Sequence, residues 1–430
     1  MKKVLIITYY WPPSGGAGVQ RWLKFSKYLP EFGWQPVIYT PDNPESPIDD
    51  PSLLKDIHPD TQVIRKPIWE PYQFYKKFLG MSASDRINAG FLTEKEKSGV
   101  KENVSVWIRG NLFIPDARKF WIRPSVKFLK SYLRDHPVDA IVSTGPPHSM
   151  HLVAAKVSGE TGIPWVSDFR DPWTGIDFYD QLRLTKRSDR RHHRLEKNVL
   201  QQSDQVVVIG KDMAREFKEK AGINAVVIPN GYDEEDFSGI EKQTPGTFTI
   251  LHVGAMNKDR NHASFWKALA SVKNSIGKQF QFKLKLIGKI DISVVHSLRE
   301  YDLEENTELL PYLSHELVAS ELTSASLLYL PINNTPNAKG IQTGKIFEYI
   351  AAGRPILGVG PVDGDAADIL DETGTGVMKN FEDTEGIQNA ILQFYKSPPE
   401  SSDSRKTEKI RYQRKSLAGE IAEILSGFAD

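Results

Sequence analysis

Short apolar runs alternate along the chain with longer stretches in which apolar residues recur every three or four positions. Val4 to Thr8, Pro36 to Thr40, Ala140 to Ser143, Trp165 to Ser167 and Gln205 to Ile209 are brief and nearly continuous in their apolarity. That is the pattern of strands covered on both faces. The stretches between them predict crossover helices. After the first strand, Val19, Trp22, Leu23, Leu29 and Phe32 fall near one helical face, Arg21, Lys24 and Lys27 fall elsewhere, and Gly33 ends the helix. The alternation restarts with a strand from Phe248 to Val253, a helix from Ala263 to Ile276, and strands at Lys283 to Ile287, Leu327 to Pro331 and Pro355 to Val359. Strand and helix in alternation mean a parallel sheet, so the chain is predicted to be α/β with two Rossmann-like sheets.

The pattern breaks at Ile228-Pro229-Asn230-Gly231-Tyr232-Asp233, where a proline and an Asn-Gly turn follow a strand. A hinge is expected between 229 and 247, with a first domain over 1–229 and a second over 230–406. The polar segment Ser397 to Asp403 precedes a closing helix, about Thr407 to Gly427, and residues 407–430 are expected to pack back on the first domain.

Composition narrows the chemistry. The 430 residues include no cysteine, which excludes disulfides, thiolate metal sites and cysteine nucleophiles and suits a reducing cytoplasm. The apolar run after Met1-Lys2-Lys3 is short and meets Trp11-Pro12-Pro13, so it reads as a buried strand rather than a leader. No run approaches a membrane span, and a cytoplasmic, soluble or peripheral protein is expected. The 55 basic and 55 acidic residues balance, yet residues 1–230 carry 34 against 26 and residues 231–430 carry 21 against 29. Residues 72–134 hold thirteen basic and five acidic residues among Tyr72, Phe74, Tyr75, Phe78, Trp107, Phe113, Phe120 and Trp121. This is either a solvated face over a helical core or a surface for anionic lipid. The zero net charge argues against nucleic acid.

Open α/β sheets bind ligands beyond the carboxyl ends of their strands. The loop Ser14-Gly15-Gly16-Ala17-Gly18 follows the first strand and can bring backbone amides at a helix start close to a phosphate or sugar. Counted from Gly16, a dinucleotide fingerprint finds Arg21 where its third glycine belongs, which weakens a dehydrogenase reading. In Lys339-Gly340-Ile341-Gln342-Thr343-Gly344-Lys345-Ile346-Phe347-Glu348-Tyr349, a helix opening near Thr343 and Gly344 would point free amides at a diphosphate, with Lys345 adding a full charge. Glu348, about one turn on, suits a ribose diol. The alternative is an exposed Lys345 to Glu348 surface pair. The spacing is not that of a Walker loop.

These parts, with Pro229-Asn230-Gly231-Tyr232-Asp233 and Phe237, Val253-Gly254-Ala255-Met256, and Phe347 to Pro355, together resemble the retaining, nucleotide-sugar-dependent glycosyltransferases of family 4 over nearly the whole chain. The resemblance implies a GT-B fold of two facing Rossmann-like domains. It also implies that Gly16 and Gly18 approach the donor phosphates while the second domain holds the nucleotide. Glu348 then corresponds to the second glutamate of the family's Glu, seven residues, Glu motif, and Gly340 stands where the first belongs. The family's Gly-Arg-Leu loop followed by Lys reads Gly254-Ala255-Met256 with Arg260, so Arg260 and either Lys258 or Lys345 would grip the diphosphate.

On the acceptor side, Ser167-Asp168-Phe169-Arg170-Asp171-Pro172-Trp173 follows a predicted strand. By the resemblance, Asp168 or Asp171 orients or deprotonates an acceptor hydroxyl, with Arg170 near developing phosphate charge. Alternatively, Asp171-Pro172 starts a turn and Arg170 pairs with an aspartate. His148 in Gly145-Pro146-Pro147-His148 is a second acceptor candidate or a capping or core histidine. No metal and no other cofactor is expected: His148 with His151 and His192 with His193 lack further ligands, and Asp363-Gly364-Asp365 reads as a turn.

The expected function is transfer of a hexose-type unit from a nucleoside diphosphate sugar to a glycan or lipid-linked acceptor, with retention, in cell-surface polysaccharide or glycolipid synthesis. A nucleotide-sugar epimerase and a non-catalytic nucleotide-sugar or glycan-binding scaffold are the alternatives.

Overall fold

A computed structural model describes residues 1–46, 49–71, 100–240, 246–397 and 406–428. The chain divides into one unit of Met1–Pro229 with Leu417–Asp430 and another of Asn230–Ser416.

In the first unit, strands β1 (Lys2–Ile7), β2 (Trp34–Pro41), β3 (Gln62–Lys66), β4 (Ala140–Gly145), β5 (Trp165–Phe169), β6 (Gln205–Val208) and β7 (Val226–Val227) form a parallel sheet in the order β3-β2-β1-β4-β5-β6-β7. Its helices are α1 (Ala17–Tyr28), α2 (Val100–Leu112), α3 (Lys119–Asp135), α4 (Ser149–Thr161), α5 (Lys186–Gln202) and α6 (Lys211–Ala221). Alternate residues of β1 feed two separate cores: Leu5 and Ile7 pack with Leu129, Val153 and Phe217 from α3, α4 and α6, whereas Val4 and Ile6 pack with Trp22 and Leu23 from α1. Helices on both faces explain why the strands are apolar at every position.

The second unit repeats the plan. Strands β8 (Phe248–Val253), β9 (Phe282–Ile287), β10 (Thr307–Leu310), β11 (Leu327–Pro331), β12 (Ile356–Val359) and β13 (Gly376–Lys379) lie parallel in the order β10-β9-β8-β11-β12-β13. They are covered by α7 (Ala263–Ile276), α8 (Ile292–Glu300), α9 (His315–Ser324), α10 (Lys345–Ala352), α11 (Asp365–Thr373) and α12 (Thr384–Lys396). In both sheets the strand order reverses beside the first strand, at β1/β4 and at β8/β11, which is where Rossmann-like sheets leave a crevice.

Three expectations need correction. The closing helix is two pieces, α13 (Lys406–Ile410) and α14 (Arg414–Ser426), separated where Tyr412 is buried and donates to Glu372 Oε2 at 2.6 Å. From Leu417 onward α14 belongs to the first unit, where Leu417, Ala418 and Ile421 join the core beneath α1. Arg21 and Lys24, assigned to a polar face, are buried at 0% and 2% exposure, and Phe32, assigned to the apolar face, is 40% exposed. Both cations are paired: Lys24 with Asp56 at 3.0 Å, and Arg21 with Asp168. Finally, β3, β7, β10 and β13 were not predicted, and they are the outermost strands of the two sheets.

Candidate functional site

At the end of β5, Asp168 is wholly buried. Its Oδ1 accepts from Arg21 Nε at 3.0 Å and Nη2 at 2.8 Å, and its Oδ2 accepts from Trp22 Nε1 at 2.7 Å and Thr144 Oγ1 at 2.8 Å. Burial works to raise this carboxyl, but the Arg21 guanidinium and the hydrogen bonds from Arg21, Trp22 and Thr144 hold it below the usual carboxylate range. The same guanidinium donates to Pro229 O at 2.7 Å and Ile228 O at 2.8 Å, tying the residues that leave β7 to α1. Asp168 was expected to meet an acceptor hydroxyl. Its lone pairs are instead directed inward, at groups of the protein itself. Sequence periodicity offered no sign of this pair, because the partners are separated by 147 positions.

Arg170 is also turned inward. Its Nη1 donates to Gly18 O at 2.7 Å, Nη2 donates to Pro146 O, and its Nε is buried without a partner. A Cβ on Gly18 would stand 3.0 Å from the Tyr10 ring and 3.1 Å from Arg170 Nη1, so Gly18 makes room for protein packing. Gly16 is different: exposed, at φ 89°, with open space where a side chain would be, it opens α1.

His148 precedes α4, stacked parallel on Trp173 with ring centroids 4.7 Å apart. His151 lies behind it, wholly buried, with Nδ1 2.8 Å from Ser143 Oγ. Burial keeps both imidazoles neutral, pushing His148 well below its ordinary value and His151 down to about 3. His148 forms one wall of a cavity of about 290 Å³ with Tyr10, Phe113, Trp173, Phe178 and Tyr179, rimmed by Arg109, Asp116 and Asp171. Asp171 is solvent-exposed, yet the crowded recess raises its carboxyl above the usual range, against the lowering effect of Arg170. Behind the cavity wall, Glu196 accepts from the backbone of Trp173 and Thr174 and from Lys220, which fixes the loop that carries Asp171. Among the acceptor candidates, then, His148 and Asp171 share a cavity, while Asp168 and Arg170 are bound into the structure beneath it.

In the second unit, the loop after β8 passes under Lys345. A Cβ on Gly254 would lie 1.9 Å from Lys345 Cε and 2.4 Å from Nζ, and Gly254 holds φ 117°, so only glycine fits there. Gly288, at φ 123°, lets the loops cross: a Cβ there would be 2.7 Å from Gly254 O. Burial, and then repulsion by Arg260, lowers the Lys345 ammonium to about 8 despite the opposing pull of Glu348. Arg260 is held by Asn333 Oδ1 at 2.6 Å and Ala255 O at 2.8 Å. His252, buried beneath, is lowered to about 3 by burial first, with Lys345 and Arg260 both contributing. Gly344, an exposed residue, precedes α10, and Thr343 Oγ1 and Gln342 Oε1 are buried without partners. Glu348 is half-buried one turn along α10. Gly340 ends a single 3-10 turn, donating its N–H to Asn337 O at 3.1 Å, and supplies no carboxylate. Chemically, this is a cradle for a polyanion: two cations close enough to repel each other, with helix amides alongside.

Asp363 bonds Lys339, and Gly364 precedes α11 in a turn, with Asp365 buried in the first helical turn. Among the described residues no cluster of three or more His, Asp or Glu could hold a metal. No helix among them is long and apolar enough to cross a membrane.

Comparison with known proteins bears on the family and the fold. Residues 15–236 match the model of Glycosyltransferase Family 4, and residues 247–397 match that of Glycosyl transferases group 1. No curated protein matches. Among solved structures, sucrose-phosphate synthase from Thermosynechococcus elongatus is similar at 15% identity and a TM-score of 0.65, over 99% of each chain. WaaG, a glycosyltransferase of lipopolysaccharide biosynthesis, is similar at 15% identity and a TM-score of 0.56, over 99% of this chain and 100% of that one. A TarM variant of S. aureus in complex with Fondaparinux, alpha-GlcNAc-glycerol and UDP is similar at 12% identity and a TM-score of 0.60, again over 99% and 100%. These likenesses show the GT-B fold, and the family match covers more than half of the chain: the protein belongs to glycosyltransferase family 4.

Proposed function

We propose that this glycosyltransferase moves a hexose unit from a nucleoside diphosphate sugar to a hydroxyl of a glycan or lipid-linked acceptor, with retention, in cell-surface polysaccharide or glycolipid synthesis on the cytoplasmic side of a membrane. The observation that carries the donor half is the Lys345 ammonium seated over Gly254 with Arg260 beside it. Two cations held together at electrostatic cost are stabilised by an incoming diphosphate. As the glycosidic bond breaks and negative charge grows on the leaving diphosphate, Lys345, Arg260 and the amides at Thr343 and Gly344 stabilise it. Glu348 accepts hydrogen bonds from the ribose diol.

The acceptor half rests on the cavity beside His148. Asp171, exposed and raised, orients the acceptor hydroxyl, and neutral His148 lines its approach. Asp168 acts as a positioning residue through Arg21 and Trp22. For retention, the acceptor hydroxyl attacks the anomeric carbon from the face the diphosphate leaves, and its proton passes to the departing diphosphate oxygen.

The test is a thermal-shift panel of UDP, GDP, ADP, TDP and CDP on the wild type, Lys345→Ala and Glu348→Ala. UDP comes first, because the TarM neighbour is in complex with it. A selective shift reduced in both variants supports the donor site, and no shift from any nucleotide overturns it. The GT-B fold is also found in a UDP-N-acetylglucosamine 2-epimerase neighbour from Listeria monocytogenes, at 12% identity and a TM-score of 0.54. Incubation with donor alone separates the readings: an isomeric nucleotide sugar without acceptor means an epimerase.

A further inference from the structure

On α5, Arg187, Arg190, Arg191 and Arg194 recur at intervals of three, one and three residues and so share one face. All four are exposed, and they alone line a surface groove of about 720 Å³. The two acids of this helix are engaged elsewhere: Glu196 is buried and bound by Lys220, and Asp189 pairs with His193 and accepts from Tyr179. Among the described residues, no carboxylate lies within ion-pair reach of the four arginines. Like charges on one helix face repel one another, and surface arginines are normally interspersed with acids, so a face of this kind points to an anionic partner.

The face does not stand alone. Arg191 is near enough to Lys119 that, after burial, it is the second cause lowering that ammonium. Lys119 starts a stripe along α3 that continues through Arg123, Lys127, Lys130 and Arg134. The last four line a second groove, of about 810 Å³, with Lys156 across it on α4 and Glu160, which Lys130 engages. Where the two basic faces meet, apolar side chains stand in solvent. Phe120 packs edge-on to Trp69 at 4.8 Å, both exposed, and Lys119 lies over Phe120 and Phe113. Leu112 and Trp107 of α2 are exposed as well. The end of α2 is fixed to the start of α5 by Asn111, which donates to Arg183 O and accepts from Thr185 N.

We propose that the arginine face of α5, the cation stripe of α3 and the exposed Trp69, Trp107, Leu112 and Phe120 form one docking surface for an anionic lipid bilayer. Cations engage the headgroups from the aqueous side, and aromatic edges settle at headgroup depth. A single-stranded nucleic acid would use the cations and stack its bases on the tryptophans, but it gives no role to the exposed Leu112, and the zero net charge of the chain disfavours it. The expectation of lipid contact from sequence rested on residues 72–134, of which 72–99 lie outside the described residues, including Lys76 and Lys77. The strongest part of this surface lies beyond that stretch, on α5. The proposal deepens the reading of a membrane-side enzyme given above by naming the surface that meets the membrane.

The test uses the full chain with sedimented vesicles of phosphatidylcholine alone, and with roughly one lipid in three replaced by phosphatidylglycerol. Wild type is expected on the anionic vesicles only, and less at high salt. Arg187→Gln, Arg190→Gln, Arg191→Gln and Arg194→Gln combined should bind at least about 100-fold more weakly, since each cation near an anionic surface contributes roughly five-fold. Trp107→Ser with Phe120→Ser should weaken binding by a smaller factor. Equal binding to neutral vesicles, an unaffected quadruple variant, or displacement of the vesicles by a single-stranded oligonucleotide would overturn the proposal. Should the quadruple variant lose its helical circular dichroism, the single Arg→Gln variants and vesicles made cationic, which wild type must ignore, decide the matter. Nucleotide thermal shifts in the same preparations keep the two readings apart: vesicle binding without any nucleotide shift sinks the donor site alone, and the reverse sinks the docking surface alone.

Discussion

At the end of β5 in the first unit, Asp168 sits among the Arg21 guanidinium and two further donors, Trp22 and Thr144, and its carboxyl is held below its ordinary range. Just past the end of β8 in the second unit, Lys345 lies over Gly254 next to a second cation, and its ammonium is lowered to about 8. Both charges are at the topological position where Rossmann-like sheets bind ligands. The first is stabilised by the protein around it, and the second is destabilised. A charge already satisfied by its own fold belongs to the architecture. A charge kept at a cost is where a ligand of opposite sign restores the balance.

The comparison breaks most visibly at Asp168. Asp168→Ala removes the buried carboxylate that faces the Arg21 guanidinium, so chemical denaturation should show the first unit destabilised by about 3–5 kcal/mol. The contribution of this carboxylate is complete above its unfolded value and disappears as pH falls through the lower folded one, so the difference from wild type shrinks only in strong acid. A variant that unfolds normally but no longer transfers sugar would instead place Asp168 at the reacting atoms. Next in size, Gly254→Ala should cost about 1–3 kcal/mol through its left-handed backbone and displace Lys345, measurable as loss of both stability and nucleotide shift.

Lys345→Ala should have the opposite sign on stability. Removing a cation held at a cost leaves the second unit equally stable or up to about 1 kcal/mol more so at neutral pH, while nucleotide affinity falls by about 10- to 100-fold. A parallel loss of stability and binding would erase the contrast between the units. The finest test is pH. Lys345 loses its proton above about 8, so the dissociation constant for the nucleotide should rise up to about tenfold per unit beyond that point. Between the folded value and the higher unfolded one the unfolded chain binds the extra proton, so this group makes stability rise over the same window. Lys345→Arg, always charged, should flatten the affinity profile as followed by calorimetry.

The strands that were legible in the sequence are the interior ones, because both faces of β1, β4, β8 and β11 are covered and their apolar runs are unbroken. Gln62–Lys66, Thr307–Leu310 and Gly376–Lys379 mix polar and apolar residues because an edge strand is only half covered, and Val226–Val227 is two residues long. Helix α1 misled for a related reason. Its arginine and lysine carry the polar signature of a wet face, but Asp168 and Asp56 arrive from distant segments to neutralise them.

Sequence alone determined the α/β class, the two repeats of the strand-helix alternation and the family, since all three depend on local periodicity and on motifs within a few residues of one another. It also marked Gly254, Arg260, Lys345 and Glu348 as a group through their resemblance to a known pattern. Tertiary structure decided which charges are spent and which are available. It turned Asp168 and Arg170 inward, left Asp171 at a cavity, set Lys345 over a glycine ninety-one positions away and gathered the arginines of α5 beside the cations of α3. The reason is physical: a side chain's charge state and partners depend on burial and on neighbours brought together by folding, and neither is encoded in the spacing of nearby residues.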